Sequence, residues 1–172
     1  MTNVLVTYAT KVGSTFDVAE QIAKTLQQNG LTVTLHKAEK SLDPAPFDAV
    51  IVGSAIRVGR WLPPVVQFVE NNVSTLVKRP VAFFTVCMTL HEDTPENREE
   101  VYGYTEPVRR LLTPQAEGFF AGAMNYKLLS FPVRTIVKRI GVPEGDYRQW
   151  NDITGWAEDI VPILTGELEG LR

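Results

Sequence analysis

The 172-residue sequence holds one cysteine, Cys87, and two histidines, His36 and His91. One cysteine excludes an intrachain disulfide and fits a reducing, cytoplasmic setting. Two scattered histidines are too few for a metal site. A positive charge excess is also missing. The net charge is −3, which argues against general nucleic-acid binding. No apolar run is long enough to span a bilayer. The N-terminus enters a strand-like segment without a basic leader, so no signal peptide is expected. Two common phosphate loops are missing as well. No G-x-x-x-x-G-K-[ST] pattern occurs, and no three-glycine dinucleotide fingerprint.

What is present is ordinary for a globular protein: 44% hydrophobic and 22% charged residues. The length predicts one domain over 1–172, large enough for a three-layer core. The organising stretch is 4–26. Val4, Leu5 and Val6 are an apolar run suited to a strand buried on both faces. Val18, Ala19, Ile22, Ala23 and Leu26 recur at helical spacing. Between them lies a hydroxyl-rich loop, Thr10-Lys11-Val12-Gly13-Ser14-Thr15, opening onto a helix N-terminus. Free N–H groups and the positive dipole end make such a place an anion site, most naturally for phosphate. A plainer reading makes Ser14 an N-cap with Asp17 as its capping-box partner.

The rest alternates strand and helix. Asn29-Gly30 stops the first helix. Thr32–His36 alternates as an edge strand, with Val33 and Leu35 on one face. A third strand spans Ala49–Val52 and ends at Gly53-Ser54. Pro63-Pro64 starts a helix whose stripe is Val66, Val69, Val73 and Leu76. Val81–Cys87 is a fourth strand. A helix follows Pro95 to about Leu112, then a fifth strand over Gly118–Ala123. Lys127–Ile140 reads as helical, with Pro132 near its start. A last helix over Tyr147–Leu164 turns Trp150, Ile153, Trp156, Ala157 and Ile160 inward. Such alternation predicts an α/β fold, a parallel sheet covered on both faces. Order 2-1-3-4-5 is expected, with ligands outside the carboxyl ends of strands 1, 3 and 4. The loops to watch are therefore Ala9–Thr15, Ser54–Trp61 and Cys87–Glu92.

The Thr10-x-x-Gly13-Ser14-Thr15 pattern resembles the FMN-phosphate loop of the flavodoxin family, commonly T-x-T-G-x-T. The resemblance implies a flavodoxin-like fold and FMN. It assigns side-chain hydrogen bonds to Thr10, Ser14 and Thr15, and backbone N–H groups to Lys11, Val12, Gly13, Ser14 and Thr15. Val12 stands where the family often has a third hydroxyl.

In the second loop, Ser54 and Ala55 let backbone approach a flat ring. Ile56, Val58 and Trp61 can cover an aromatic face, with Gly59 between. Arg57 and Arg60 place cations there. A cation near the pyrimidine end of a flavin would favour its anionic reduced form and raise its potential. The bland alternative is solvated charge for the arginines and core packing for Trp61. The third loop, Cys87-Met88-Thr89-Leu90, would offer backbone to the ring's polar edge. Cys87 has no His and acid partner at motif spacing and reads as a small buried residue. His91 reads as a surface histidine or a proton relay. No side chain is expected to act as an obligatory acid or base.

Nearly the whole chain resembles the flavodoxin-domain family that includes menaquinone-dependent protoporphyrinogen IX dehydrogenase. Gly53–Gly59, Ala121–Tyr126 and Gly145–Trp150 carry the likeness. It implies an FMN oxidoreductase acting on a reduced substrate such as a porphyrinogen, with a quinone or other acceptor. Arg57, Arg60 and Lys127 would then meet an acidic substrate. The family's insertion near the third loop is basic. Here Glu92–Glu106 is acidic, a solvated face or a dock for a redox-protein partner, as in an electron-carrier flavodoxin without a small-molecule substrate. Lys127–Ile140 is basic and amphipathic. It is either a sheet-covering helix or a peripheral contact with the inner membrane face. A phosphoryl-accepting signalling module is disfavoured, because strands 1 and 3 end in Thr7-Tyr8 and Gly53-Ser54 and not in acids.

Overall fold

The computed structural model describes residues 1–167. In chain order it forms β1 (Asn3–Ala9), α1 (Ser14–Gln28), β2 (Thr32–Lys37), β3 (Ala49–Arg57), β4 (Arg60–Trp61) and α2 (Pro63–Leu76). Then come β5 (Val81–Val86), a 3-10 turn (Met88–His91), α3 (Pro95–Tyr104), α4 (Glu106–Leu111) and β6 (Ala116–Phe120). The remainder is β7 (Ala123–Met124), a 3-10 turn (Tyr126–Leu128), α5 (Phe131–Arg139), β8 (Gly145–Asp146), α6 (Trp150–Asp159) and α7 (Val161–Leu164).

The sheet order is β2-β1-β3-β5-β6, and all four pairings are parallel. This is the expected 2-1-3-4-5 order, with β4 added as a short antiparallel return on β3. Period-two alternation divides the side chains between two cores. Val4, Val6, Ile51 and Phe84 pack under α1 and α6, against Ile22, Leu26, Ile153 and Ala157. Leu5, Val50, Val52 and Phe83 pack under α2 and α4, against Val65, Phe68, Val69 and Val108. Each such side chain contributes about 1.5–3 kcal/mol when fully buried.

Several boundaries differ from the sequence reading. The third strand does not end at Gly53-Ser54; β3 continues to Arg57 and turns back as β4. The expected loop Ser54–Trp61 is therefore a hairpin. Its Ile56↔Trp61 and Arg57↔Arg60 pairs leave Val58-Gly59 as the turn. The fifth strand stops at Phe120, because β5 gives it no partner beyond Val86. The helix expected to run to Leu112 is broken at Thr105, where Pro107 removes a helical donor. In α2, Val69 and Leu76 are buried as expected, Val65 and Phe68 are buried beside them, and Val66 and Val73 pack half-buried against the same core. Trp150 is 38% exposed rather than inward, because it stands at the start of α6, beyond the core's edge. The helix expected over Lys127–Ile140 begins at Phe131, next to Pro132.

Val58 has φ 51, a left-handed conformation in an exposed β-branched residue. Left-handed backbone costs an L-residue about 1–2 kcal/mol, and Asn tolerates it best among the non-glycines. Val58→Asn should therefore stabilise the protein by about 1 kcal/mol. A urea titration checks this, and an unchanged midpoint would show that the turn is unstrained.

Candidate functional site

The three loops lie where the strand order reverses, beyond the carboxyl ends of β1, β3 and β5. The first leaves β1 at Ala9. Gly13 is the N-cap of α1 in a left-handed conformation, φ 97, which only glycine adopts readily. Its N–H donates to Thr10 Oγ1 at 3.0 Å. The N–H groups of Phe16 and Asp17 donate to the Gly13 carbonyl at 3.0 and 3.3 Å. Those of Lys11, Val12, Ser14 and Thr15 make no hydrogen bond among the described residues. The capping-box reading fails: Ser14 is inside the helix, no side chain caps it, and Asp17 pairs elsewhere.

Thr15 decides what the loop is suited to. Its side chain is fully buried, and Oγ1 has no hydrogen-bond partner. A buried orphan hydroxyl costs about 1–3 kcal/mol. Here it lies in the first turn of a helix whose N–H groups are also free, which fits an anionic ligand.

The second loop is only partly available. Ser54 Oγ donates to the Ala55 carbonyl at 2.8 Å and accepts from the Leu62 N–H at 2.9 Å. Its hydroxyl thus ties the hairpin to α2. Trp61 is buried, packed 5.0 Å from the Phe83 ring, with Nε1 donating to Thr85 Oγ1. It is a core residue and covers no open ring face. Ala55 and Ile56 are half-buried, while Arg57, Val58, Gly59 and Arg60 are exposed. Arg57 and Arg60 are directly opposed across the hairpin. Like charges so placed repel. Neither has an acidic partner among the described residues.

The third loop is a 3-10 turn. Cys87 and Leu90 are buried beside Val101, with Met88 and Thr89 half-buried. Burial pushes the Cys87 thiol up, the opposite of a reactive thiolate. Asn97 Nδ2 takes the Thr89 carbonyl at 3.1 Å, so that oxygen is already engaged. Tyr104 packs against Gly59 of the hairpin. Its hydrogen bond to Glu100 pushes its phenol up to about 12.

An arm over 121–149, between β6 and α6, completes the site and was not anticipated as a unit. Its β7 and β8 pair antiparallel, Ala123↔Asp146 and Met124↔Gly145. The stretches Ala121–Tyr126 and Gly145–Trp150 thus meet in space. Gly122 backs onto both loops: a Cβ there would lie 3.5 Å from Met88 Sδ and 3.7 Å from Ser14 Oγ. Tyr147 meets the His91 ring edge-on at 5.6 Å. Arg148 donates to Asp17 of α1 at 2.7 Å and to Asp146 at 2.6 Å. Between arm and first loop lies a cavity of about 750 Å³, lined by Gly13, Ser14, Met124, Asn125, Lys127 and Arg148 among others. Strands of two residues carry no periodic signal, so sequence reasoning missed Met124, Asn125, Glu144 and Arg148 as wall residues. The basic stretch Lys127–Ile140 lies on this arm, over its 3-10 turn and α5. No metal-binding cluster occurs among the described residues.

The comparisons agree with this architecture. The flavodoxin domain family matches residues 5–150. The chain belongs to that family. Flavodoxin domains hold FMN, and the free N–H groups and orphan Thr15 hydroxyl of the first loop fit its phosphate. Over 173 residues the chain is 23% identical to protoporphyrinogen IX dehydrogenase [quinone] of Escherichia coli K12, covering 92% of this chain and 94% of that one. It is 26% identical over 172 residues to the protein of the same name from Leishmania major, covering 92% and 74%. A solved short-chain flavodoxin associated with a bacterial microcompartment superposes with TM-score 0.61 at 15% identity, covering 94% and 97%.

Proposed function

We propose that this flavodoxin-family chain is an FMN-dependent oxidoreductase that passes electrons from a reduced, acidic substrate of the porphyrinogen type to a quinone. The observation that carries the cofactor part is the buried, unpartnered Thr15 hydroxyl at a free helix N-terminus. The substrate and acceptor parts rest on similarity over 92% of the chain to two proteins named for that reaction.

FMN supplies the two-electron chemistry when bound. The chain supplies the rest. Thr10, Ser14 and Thr15 would donate hydroxyl hydrogen bonds to its phosphate, and Lys11, Val12, Ser14 and Thr15 would donate N–H groups; the Gly13 N–H, expected to join them, is held by Thr10 Oγ1 instead. Ala55, Ile56, Arg57, Val58 and Gly59 would offer one wall to the ring, with the buried Ser54 holding that hairpin to α2. Cys87, Met88, Thr89 and Leu90 offer the other. No side chain is assigned as an acid or base. Arg57 and Arg60, opposed and without acidic partners, are set to meet substrate carboxylates. The exposed apolar and basic side chains of the arm favour a peripheral contact with the cytoplasmic membrane face, where a quinone is found. No helix among the described residues is long and apolar enough to cross a membrane.

An electron-carrier role is favoured by one feature, the acidic outer face of α3 with Glu96, Glu99 and Glu100 exposed. One experiment separates the two readings. The FMN-loaded protein is mixed anaerobically with a porphyrinogen and followed at the flavin band. Bleaching, then recovery on adding a menaquinone analogue, is expected, and Arg57→Ala with Arg60→Ala should raise KM more than it lowers kcat. No bleaching, with salt-dependent electron exchange with a redox protein instead, would favour the carrier.

A further inference from the structure

The first turn of α1 carries a carboxylate, Asp17, one turn from the N–H groups of Ser14 and Thr15. A carboxylate there suits the helix dipole. It does not suit an anion held by the same turn, since like charges close together repel. A second carboxylate, Asp146, lines the same cavity from the arm.

Arg148 answers both. Its side chain is 12% exposed, while each carboxylate is 50% exposed. It reaches Asp17 at 2.7 Å across 131 residues of sequence. It grips Asp146 with two nitrogens, at 2.8 and 2.6 Å, and its backbone N–H adds a third bond at 3.1 Å. Its guanidinium carbon sits 4.7 Å from the Trp150 ring centroid, which fixes the plane of the fork. Arg148 holds the Asp146 carboxyl below the usual carboxylate range, so that acid stays ionised at neutral pH. The other charged residues on the cavity wall are Lys127 and Glu144.

We infer that Arg148 is a positioning residue that neutralises Asp17 and Asp146 beside the phosphate loop and so sets the preference for phosphorylated over unphosphorylated flavin. The inference rests on the FMN reading above and deepens it. Arg148 acts through the two carboxylates and is not assigned a contact with the cofactor.

The test compares dissociation constants for FMN and riboflavin by quenching of flavin fluorescence. Arg148→Gln should weaken FMN about tenfold or more and leave riboflavin within about twofold. Asp17→Asn alone should tighten FMN several-fold, because it removes the repelling charge and leaves Arg148 in place. The double variant should return close to the starting value. Equal weakening of FMN and riboflavin in Arg148→Gln would show a merely structural role and overturn the inference. So would an Asp17→Asn protein with unchanged FMN affinity, a result that does not depend on the arginine variant folding. Unaltered protein that takes up neither flavin would overturn the FMN reading itself. FMN uptake with the same FMN-to-riboflavin ratio in every variant would overturn the inference alone.

Discussion

Replacing Ser14 with Ala and Thr15 with Val should weaken FMN binding by about two to four orders of magnitude without unfolding the apoprotein. Each hydroxyl would donate a hydrogen bond to a charged phosphate, worth roughly 1.5–3 kcal/mol. Two such losses sum to about 3–6 kcal/mol. The stability half of the prediction follows from the same atom. Thr15 Oγ1 is buried without a partner, so an isosteric methyl removes a desolvated polar group and leaves the packing intact. Urea unfolding of the apoprotein should give an equal or slightly higher midpoint. Flavin affinity, read by fluorescence quenching, should collapse. A double variant with FMN affinity within threefold of the parent would remove the phosphate assignment.

Neutralising Lys127, Lys138 and Arg139 to Gln should cut binding to anionic lipid vesicles roughly a hundredfold, at about 1 kcal/mol per cation near the surface. The arm presents these charges with apolar partners left in solvent. Leu128, Phe131, Ile136 and Ile140 are all more than half exposed, Phe131 at 80%. No residue of α5 is buried. Such a helix contributes nothing to a core and gains by burying its apolar side chains in an interface. Arg134 is left out of the variant, because Nη2 is tied to the Leu129 carbonyl at 3.1 Å. Phe131→Ser with Ile136→Ser should also weaken vesicle binding, while salt sensitivity remains. Sedimentation with vesicles of anionic and of neutral lipid reads both effects. Equal binding to the two vesicle types would remove the role of the cations, and binding to neither would remove the membrane contact.

Much of the fold was legible because periodicity is a property of each element alone. The apolar run of β1 and the stripe of α1 follow from local composition and spacing that need no knowledge of neighbours. The sheet order then followed from few permitted crossovers. What sequence could not show were features that exist only between segments. Ser54 looked available until its hydroxyl was found between Ala55 and Leu62. Trp61 could be read as core packing or as a ring cover, and the Thr85 hydroxyl that takes its indole N–H, inside the core, decides for packing. Arg148 stands out in the sequence only as part of a family-like stretch, yet it spans from the arm to Asp17. The arm itself was visible only as resembling stretches, since a pair of two-residue strands is decided by partners twenty residues apart.

The most direct test of the central claim is the visible absorption spectrum of the purified protein, taken before and after incubation with FMN and desalting. A flavin band retained at one FMN per chain is the predicted result. It would place the cofactor in this chain and move the question to its electron donor and acceptor. A folded protein that stays colourless and takes up no FMN would contradict the account.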